Sequence, residues 1–200
     1  MRTLLLALFP AFVPLVVAAT PLKVVNVSAP AINCVFNPSC TISVNDTTAN
    51  IAMSTGGTGF LQSRTFKGVA GSPAAGMFGY EYRIDLRKAV GAVAISCIDW
   101  MTISFGPVVG SLNYGGDAKP DQVFVVTSGG MGTIGLASAI QNGSSIKFKF
   151  ASPLCEGDAP GRGDSSFFWG LTAKTQHQFV TATLHEPGGA THVVKARSPM

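Results

Sequence analysis

Tyr80-Glu81-Tyr82-Arg83-Ile84-Asp85-Leu86 decides the fold. Apolar side chains fill every even position of this stretch and charged ones every odd position. Successive side chains of a strand point to opposite faces, so a period of two buries one face and wets the other. A helix would scatter Tyr80, Tyr82, Ile84 and Leu86 around its axis. The pattern predicts a strand over 78–86, with Glu81, Arg83 and Asp85 forming a solvated ion-pair comb. Ile146-Lys147-Phe148-Lys149-Phe150 repeats it, with the lysines toward water and Ile146, Phe148 and Phe150 toward a core.

Outward from these two segments, short β-branched and aromatic runs alternate with Gly, Pro, Asn and Asp clusters, which is the mark of strands joined by turns. The runs are 22–28, 41–45, 50–53, 60–66, 78–86, 92–98, 100–105, 122–127, 146–150, 166–172 and 178–184, with a weak one over 192–195. Asn142-Gly143 is a strong hairpin signal. No segment has the support expected of a helix of normal length; Leu86–Val90 and Ala137–Gln141 allow single turns. The expectation is an all-β chain, a single β-sandwich or jelly roll of about ten to twelve short strands. After Leu184 the chain turns polar and rich in Gly and Pro, which predicts a loose tail over 185–200.

Composition excludes several classes. Of 200 residues 46% are hydrophobic and only 12% charged, which rules out a disordered charged tail and a coiled coil. The net charge of +4 is mild and forms no dense basic cluster, so a nucleic-acid partner is not expected. Met1-Arg2-Thr3 precedes an apolar run over 4–17 that ends in Val17-Ala18-Ala19. A positive start, a short apolar stretch and small residues at its end describe a secretory signal peptide, residues 1–19, too short to span a membrane. The domain expectation is therefore one body over 20–200, secreted and extracellular, with no transmembrane anchor.

Cys34, Cys40, Cys97 and Cys155 are an even set in an exported chain, which implies two disulfides. Three pairings are possible. Spacing favours Cys34–Cys40, a clip around a turn, and Cys97–Cys155, a long loop closure. Zinc sites show tighter paired spacings than these.

Candidate chemistry is sparse, and no cofactor is expected. Glu81 and Asp85 would lie roughly 13 Å apart along one strand face, too far for a retaining glycosidase pair. There is no Gly-x-Ser-x-Gly elbow and no His-Glu-x-x-His pattern. The loop Glu156–Ser165 brings Glu156, Asp158 and Asp164 onto a Gly-rich backbone, weak candidates for a calcium ion opposed by Arg162. It also contains Arg162-Gly163-Asp164, which resembles the tripeptide by which matrix proteins engage integrins. In Asp99–Phe105, Met101, Ile103 and Phe105 share the core face, which sets Trp100 on the polar face with Thr102 and Ser104. An indole there is a candidate sugar platform, with Tyr114 of the next loop joining it. Trp169, in the company of Phe167 and Leu171, reads as core. Three sequons start at Asn26, Asn45 and Asn142.

The stretch Tyr80–Arg87, with Cys155 followed by Gly163-Asp164-Ser165-Ser166-Phe167-Phe168-Trp169-Gly170-Leu171, resembles exported all-β proteins of bacteria. That resemblance implies a secreted sandwich and carries over no active residue. The functional expectation is a secreted, non-enzymatic binding or surface-interaction module, with carbohydrate as the candidate ligand at Trp100 and Tyr114. A polysaccharide hydrolase on a jelly-roll scaffold and a structural coat or matrix protein are the alternatives.

Overall fold

A computed structural model describes residues 18–199; the signal peptide expected over 1–19 lies outside the described residues except for its last two positions. The chain is nearly all β, with twelve strands in two packed six-stranded sheets and one short helix. The strands are β1 (Thr20–Leu22), β2 (Val24–Ser28), β3 (Asn45–Ala52), β4 (Thr58–Lys67), β5 (Phe78–Asp85) and β6 (Cys97–Ser104). They continue as β7 (Val123–Ser128), β8 (Leu136–Asn142), β9 (Ser145–Cys155), β10 (Phe168–Ala173), β11 (His177–His185) and β12 (Thr191–Pro199). Helix α1 covers Ala29–Phe36.

The first sheet has the order β1-β8-β9-β6-β11-β12 and the second β2-β7-β10-β5-β4-β3. All pairs are antiparallel except β2 with β7. Between the sheets lies the main core. Tyr80, Tyr82 and Ile84 of β5 meet Met101 and Ile103 of β6 and Phe148 of β9, with Trp169 of β10 packed on Tyr82, Phe148 and Phe150. The alternation in β5 and β9 therefore points its apolar residues where the sequence predicted.

The other face of β5 departs from the prediction. Glu81, Arg83 and Asp85 are not a solvated comb: each is at most 5% exposed. Arg83 is enclosed by Gln62, Ser165 and Phe168 and Asp85 lies between Arg83 and Arg87, while a second, smaller core borders Glu81. Ile32, Val35 and Phe36 of α1 pack there on Phe66, Phe124, Val126 and Phe168 from the back of the second sheet. The helix was the missed element. Its signals are local: Ser28 caps it by accepting from the Ala31 N–H, and Pro30 sits in its first turn. Ile32, Val35 and Phe36 at i, i+3 and i+4 form its buried stripe.

Three further expectations change. The tail is not loose, because β12 pairs with β11 along nine residues, Thr191–Pro199. Its apolar members Val194 and Ala196 are buried in the main core. The runs 92–98 and 100–105 are one strand, β6, while Val93 and Ile95 lie exposed in a loop before it. Ala137–Gln141 belongs to strand β8, which forms with β9 the hairpin that Asn142-Gly143 announces, and Gly143 takes the positive φ that this turn needs.

Both disulfides pair as expected. Cys97 and Cys155 face each other across β6 and β9. Cys34–Cys40 ties the last turn of α1 to the loop after it. Among the described residues no helix is long and apolar enough to cross a membrane.

Candidate functional site

The two sheets expose different backs, and each offers a site. On the first sheet the register sets Lys149 of β9, Trp100 of β6 and His185 of β11 side by side. The next row is Lys147, Thr102, Thr183 and Val193; Lys195 of β12 follows beside Thr181. Trp100 is held on both flanks. The His185 ring stacks on it, with centroids 3.3 Å apart and planes 11° from parallel. The Lys147 ammonium lies 3.9 Å from the indole centroid. These two come from strands on opposite sides of β6, so neither π-face of Trp100 is open. Burial, and then the Lys147 charge, hold the His185 pKa below the usual imidazole value. Lys147, Lys149 and Lys195 form no ion pair with a described residue. Asp99, at the bulge beside Trp100, is the acid at this margin.

On the second sheet the cross-strand row Asp46, Arg64, Glu81 runs over β3, β4 and β5. Arg64 gives its Nε–H to Asp46 at 3.2 Å and lays its guanidinium over the Phe168 ring at 4.0 Å. Glu81 has no side-chain hydrogen bond or ion pair to a described residue. It lines instead a pocket of about 360 Å³ roofed by Ile32 of α1, Ile42 and Val44, and closed by Val126, Met131 and Phe168. Burial pushes its carboxyl up to about 7, against the pull of Arg64. One strand position on, Arg83 is fully engaged. Its Nη2 meets Asp85 at 3.0 Å, its Nη1 donates to Ser165 at 3.2 Å and its Nε to Gln62 at 3.2 Å. Asp85 is held by Arg87 as well. Burial alone would raise the Asp85 pKa, but the bonds from Arg87 and the charge of Arg83 together keep it below the ordinary value.

The remaining sequence candidates disperse. Tyr114 does not join Trp100. It is buried in the second core against Phe124, at the other outer face, with its hydroxyl on Thr172. Glu156, Asp158 and Asp164 do not converge on a cation. Glu156 is buried, bonded to Thr55 and Ser96. Asp158 pairs with Arg162 at the surface, and Asp164 accepts from the Cys155 N–H at 2.9 Å. Among the described residues no group of three or more His, Cys, Asp or Glu side chains is placed to hold a metal ion. The same contacts engage Arg162-Gly163-Asp164. Arg162 is on Asp158, Asp164 turns inward, and a Cβ on Gly163 would lie 2.1 Å from the Leu86 carbonyl oxygen. A hydrolase needs two carboxyls in one cleft. The pocket at Glu81 holds one, and so does that lined by Phe60, Arg83, Asp85 and Arg87.

Compared with protein-family models, with curated proteins and with solved structures, the chain matches none of them.

Sequence reasoning missed the pocket because it took Glu81 for a surface residue. The available signal was α1: an apolar i, i+3, i+4 stripe outside the main core must cover something, and the back of the second sheet carries Phe66, Phe124 and Phe168 to receive it.

Proposed function

We propose that the protein is an extracellular binding module that holds acidic polysaccharide on the outer face of its first sheet. The observation that carries this reading is three lysines without an acidic partner among the described residues, set around the Trp100–His185 stack on a face that no described element covers. The signal-peptide reading of residues 1–19 and two disulfides support an oxidising, extracellular setting.

The geometry suits a repeating anion. Lys147 and Lys195 stand three strands apart, roughly 14 Å at the usual strand spacing. Threonines 102, 181 and 183 between them offer hydroxyls to sugar oxygens. Trp100 is a positioning residue in this reading. With its flanks taken by Lys147 and His185, it fixes their directions and does not itself stack on a sugar ring. Exposed charge pairs are screened by salt, so binding weakens as ionic strength rises.

The test is the affinity of the full chain for polygalacturonate and for a neutral glucan, measured across a salt series. The expected result is salt-sensitive binding to polygalacturonate alone, reduced about tenfold or more in a Lys147→Ala/Lys149→Ala/Lys195→Ala variant. Equal binding to the neutral glucan, or unchanged affinity in the triple variant, overturns the proposal.

A further inference from the structure

The pocket behind the second sheet has a different chemistry, and it is independent of the basic face. Its apolar walls are Ile32, Ile42, Val44, Val126 and Met131; Asn33, Arg64 and Glu81 are its polar members, and the Glu81 carboxyl has no hydrogen bond or ion pair to a described residue. Glu81 is 5% exposed. A buried carboxylate without a hydrogen bond or a direct ion pair is costly, and native chains satisfy such groups. The obvious internal partner is spent: Arg64 is turned to Asp46 and to the Phe168 ring.

We propose that this pocket binds a small organic cation, an ammonium group on an apolar body, with Glu81 as its counter-ion. Charge selects the sign. The row Asp46, Arg64, Glu81 holds two carboxyls to one guanidinium, so one cation completes it and an anion is repelled. The walls select the body, because apolar lining rewards hydrocarbon. The other charge on the pocket wall is Arg64, whose guanidinium is shared with Asp46 and laid on the Phe168 ring, so it offsets Glu81 only in part. α1 carries no ionisable side chain except the disulfide-bonded Cys34, Gly129–Met131 and Phe168 carry none, and Arg83 on the same strand is held by Asp85. A neutral ligand would leave the carboxylate with only the Arg64 charge that it shares with Asp46. The geometry also gives a pH signature. An alkylammonium stays charged throughout the neutral range, so its binding follows ionisation of Glu81 and rises from pH 5.5 to pH 8.

Isothermal titration of the full chain with cyclohexylammonium, cyclohexanol and cyclohexanecarboxylate tests this. The expected result at pH 8 is saturable binding of the ammonium alone, about tenfold weaker at pH 5.5. Glu81→Gln keeps the shape and removes the charge; it should lose at least about tenfold in affinity. Val44→Trp, at the exposed rim, should close the mouth and abolish binding while leaving Glu81 in place. Thermal melts of both variants establish that they are folded. Equal affinity in wild type and Glu81→Gln, cyclohexanol binding as tightly as the ammonium, or no saturable binding of the ammonium at pH 8 overturns the proposal. None of these outcomes touches polygalacturonate binding.

Discussion

The two sheets are built from the same alternation, yet their outer faces follow opposite rules. On the back of the second sheet, Arg83 and Asp85 are buried and matched, Glu81 is buried without a direct partner, and Arg64 pairs with the exposed Asp46 at the margin. Gln62, Ser165 and Phe168 enclose Arg83, and α1 roofs the pocket at Glu81. On the first sheet, Lys149 beside Trp100 and Lys195 beside Thr181 are exposed and unmatched among the described residues, and no described element packs on top. What separates them is a third layer, eight residues of helix clipped by Cys34–Cys40. A charge on a strand is a surface group or a core group according to whether another element lands on it.

This contrast breaks most readily at Asp85. Asp85→Ala strands the Arg83 guanidinium in the covered face and should cost about 3–5 kcal/mol. Lys149→Ala on the bare face should stay within about 0.5 kcal/mol. Urea unfolding of the two variants measures the difference, and similar midpoints would erase the distinction.

The disulfides sharpen it next. Cys97 and Cys155 are 58 residues apart, and Cys34 and Cys40 only 6. By loop-closure entropy, replacing the first pair with serine should cost about 4 kcal/mol and the second about 2 kcal/mol. Hydrogen exchange locates each effect. Loss of the short clip should speed exchange at Ile32–Phe36 and leave β6 and β9 protected.

Glu81 gives the covered face a pH dependence that the bare face lacks. Its folded pKa, about 7, lies above the ordinary carboxyl value of 4.5. Between these values the folded state holds the extra proton, so stability falls as pH rises through the window and levels off above it. The full excursion is up to about 3 kcal/mol. Glu81→Gln should flatten this slope and be the more stable protein at pH 8. Denaturant melts at pH 4.5, 6 and 8 show it, and an unchanged slope would mean that the carboxyl is not desolvated.

The smallest expected effect is at Trp100. Trp100→Ala removes one ring stack and one cation–π contact, worth about 1 kcal/mol. With less burial, the His185 pKa should rise toward its ordinary value, which NMR titration of its ring protons reads directly. No movement would mean that Trp100 does not shield it.

Much of the fold was legible, and the reason is local. Tyr80–Leu86 and Ile146–Phe150 announce their inward faces because a strand's period is two whatever it packs on. Asn142-Gly143 announces its hairpin because few residues take positive φ. Both cysteine pairings followed from spacing. Tail strand β12 was only half legible: Gly188 and Gly189 mark a turn, but that nine residues after it pair with β11 depends on a partner strand already in place. Helix α1 is short, follows a strand without a break, and was overlooked in a chain otherwise patterned in twos.

The candidate sites divide in the same way. Trp100 on the polar face of its strand could be read from Met101, Ile103 and Phe105 alone, since a strand's two faces are defined by the residues themselves. Its enclosure by Lys147 and His185 could not, because these arrive from strands 45 residues or more away in the chain. The sequence by itself determined an oxidised, two-sheet body and which side chains share a face. Only the tertiary structure decided which faces meet water. Periodicity is a property of the backbone, whereas burial belongs to whatever is laid over it, and α1 over Glu81 was laid there by contacts between segments that no local pattern connects.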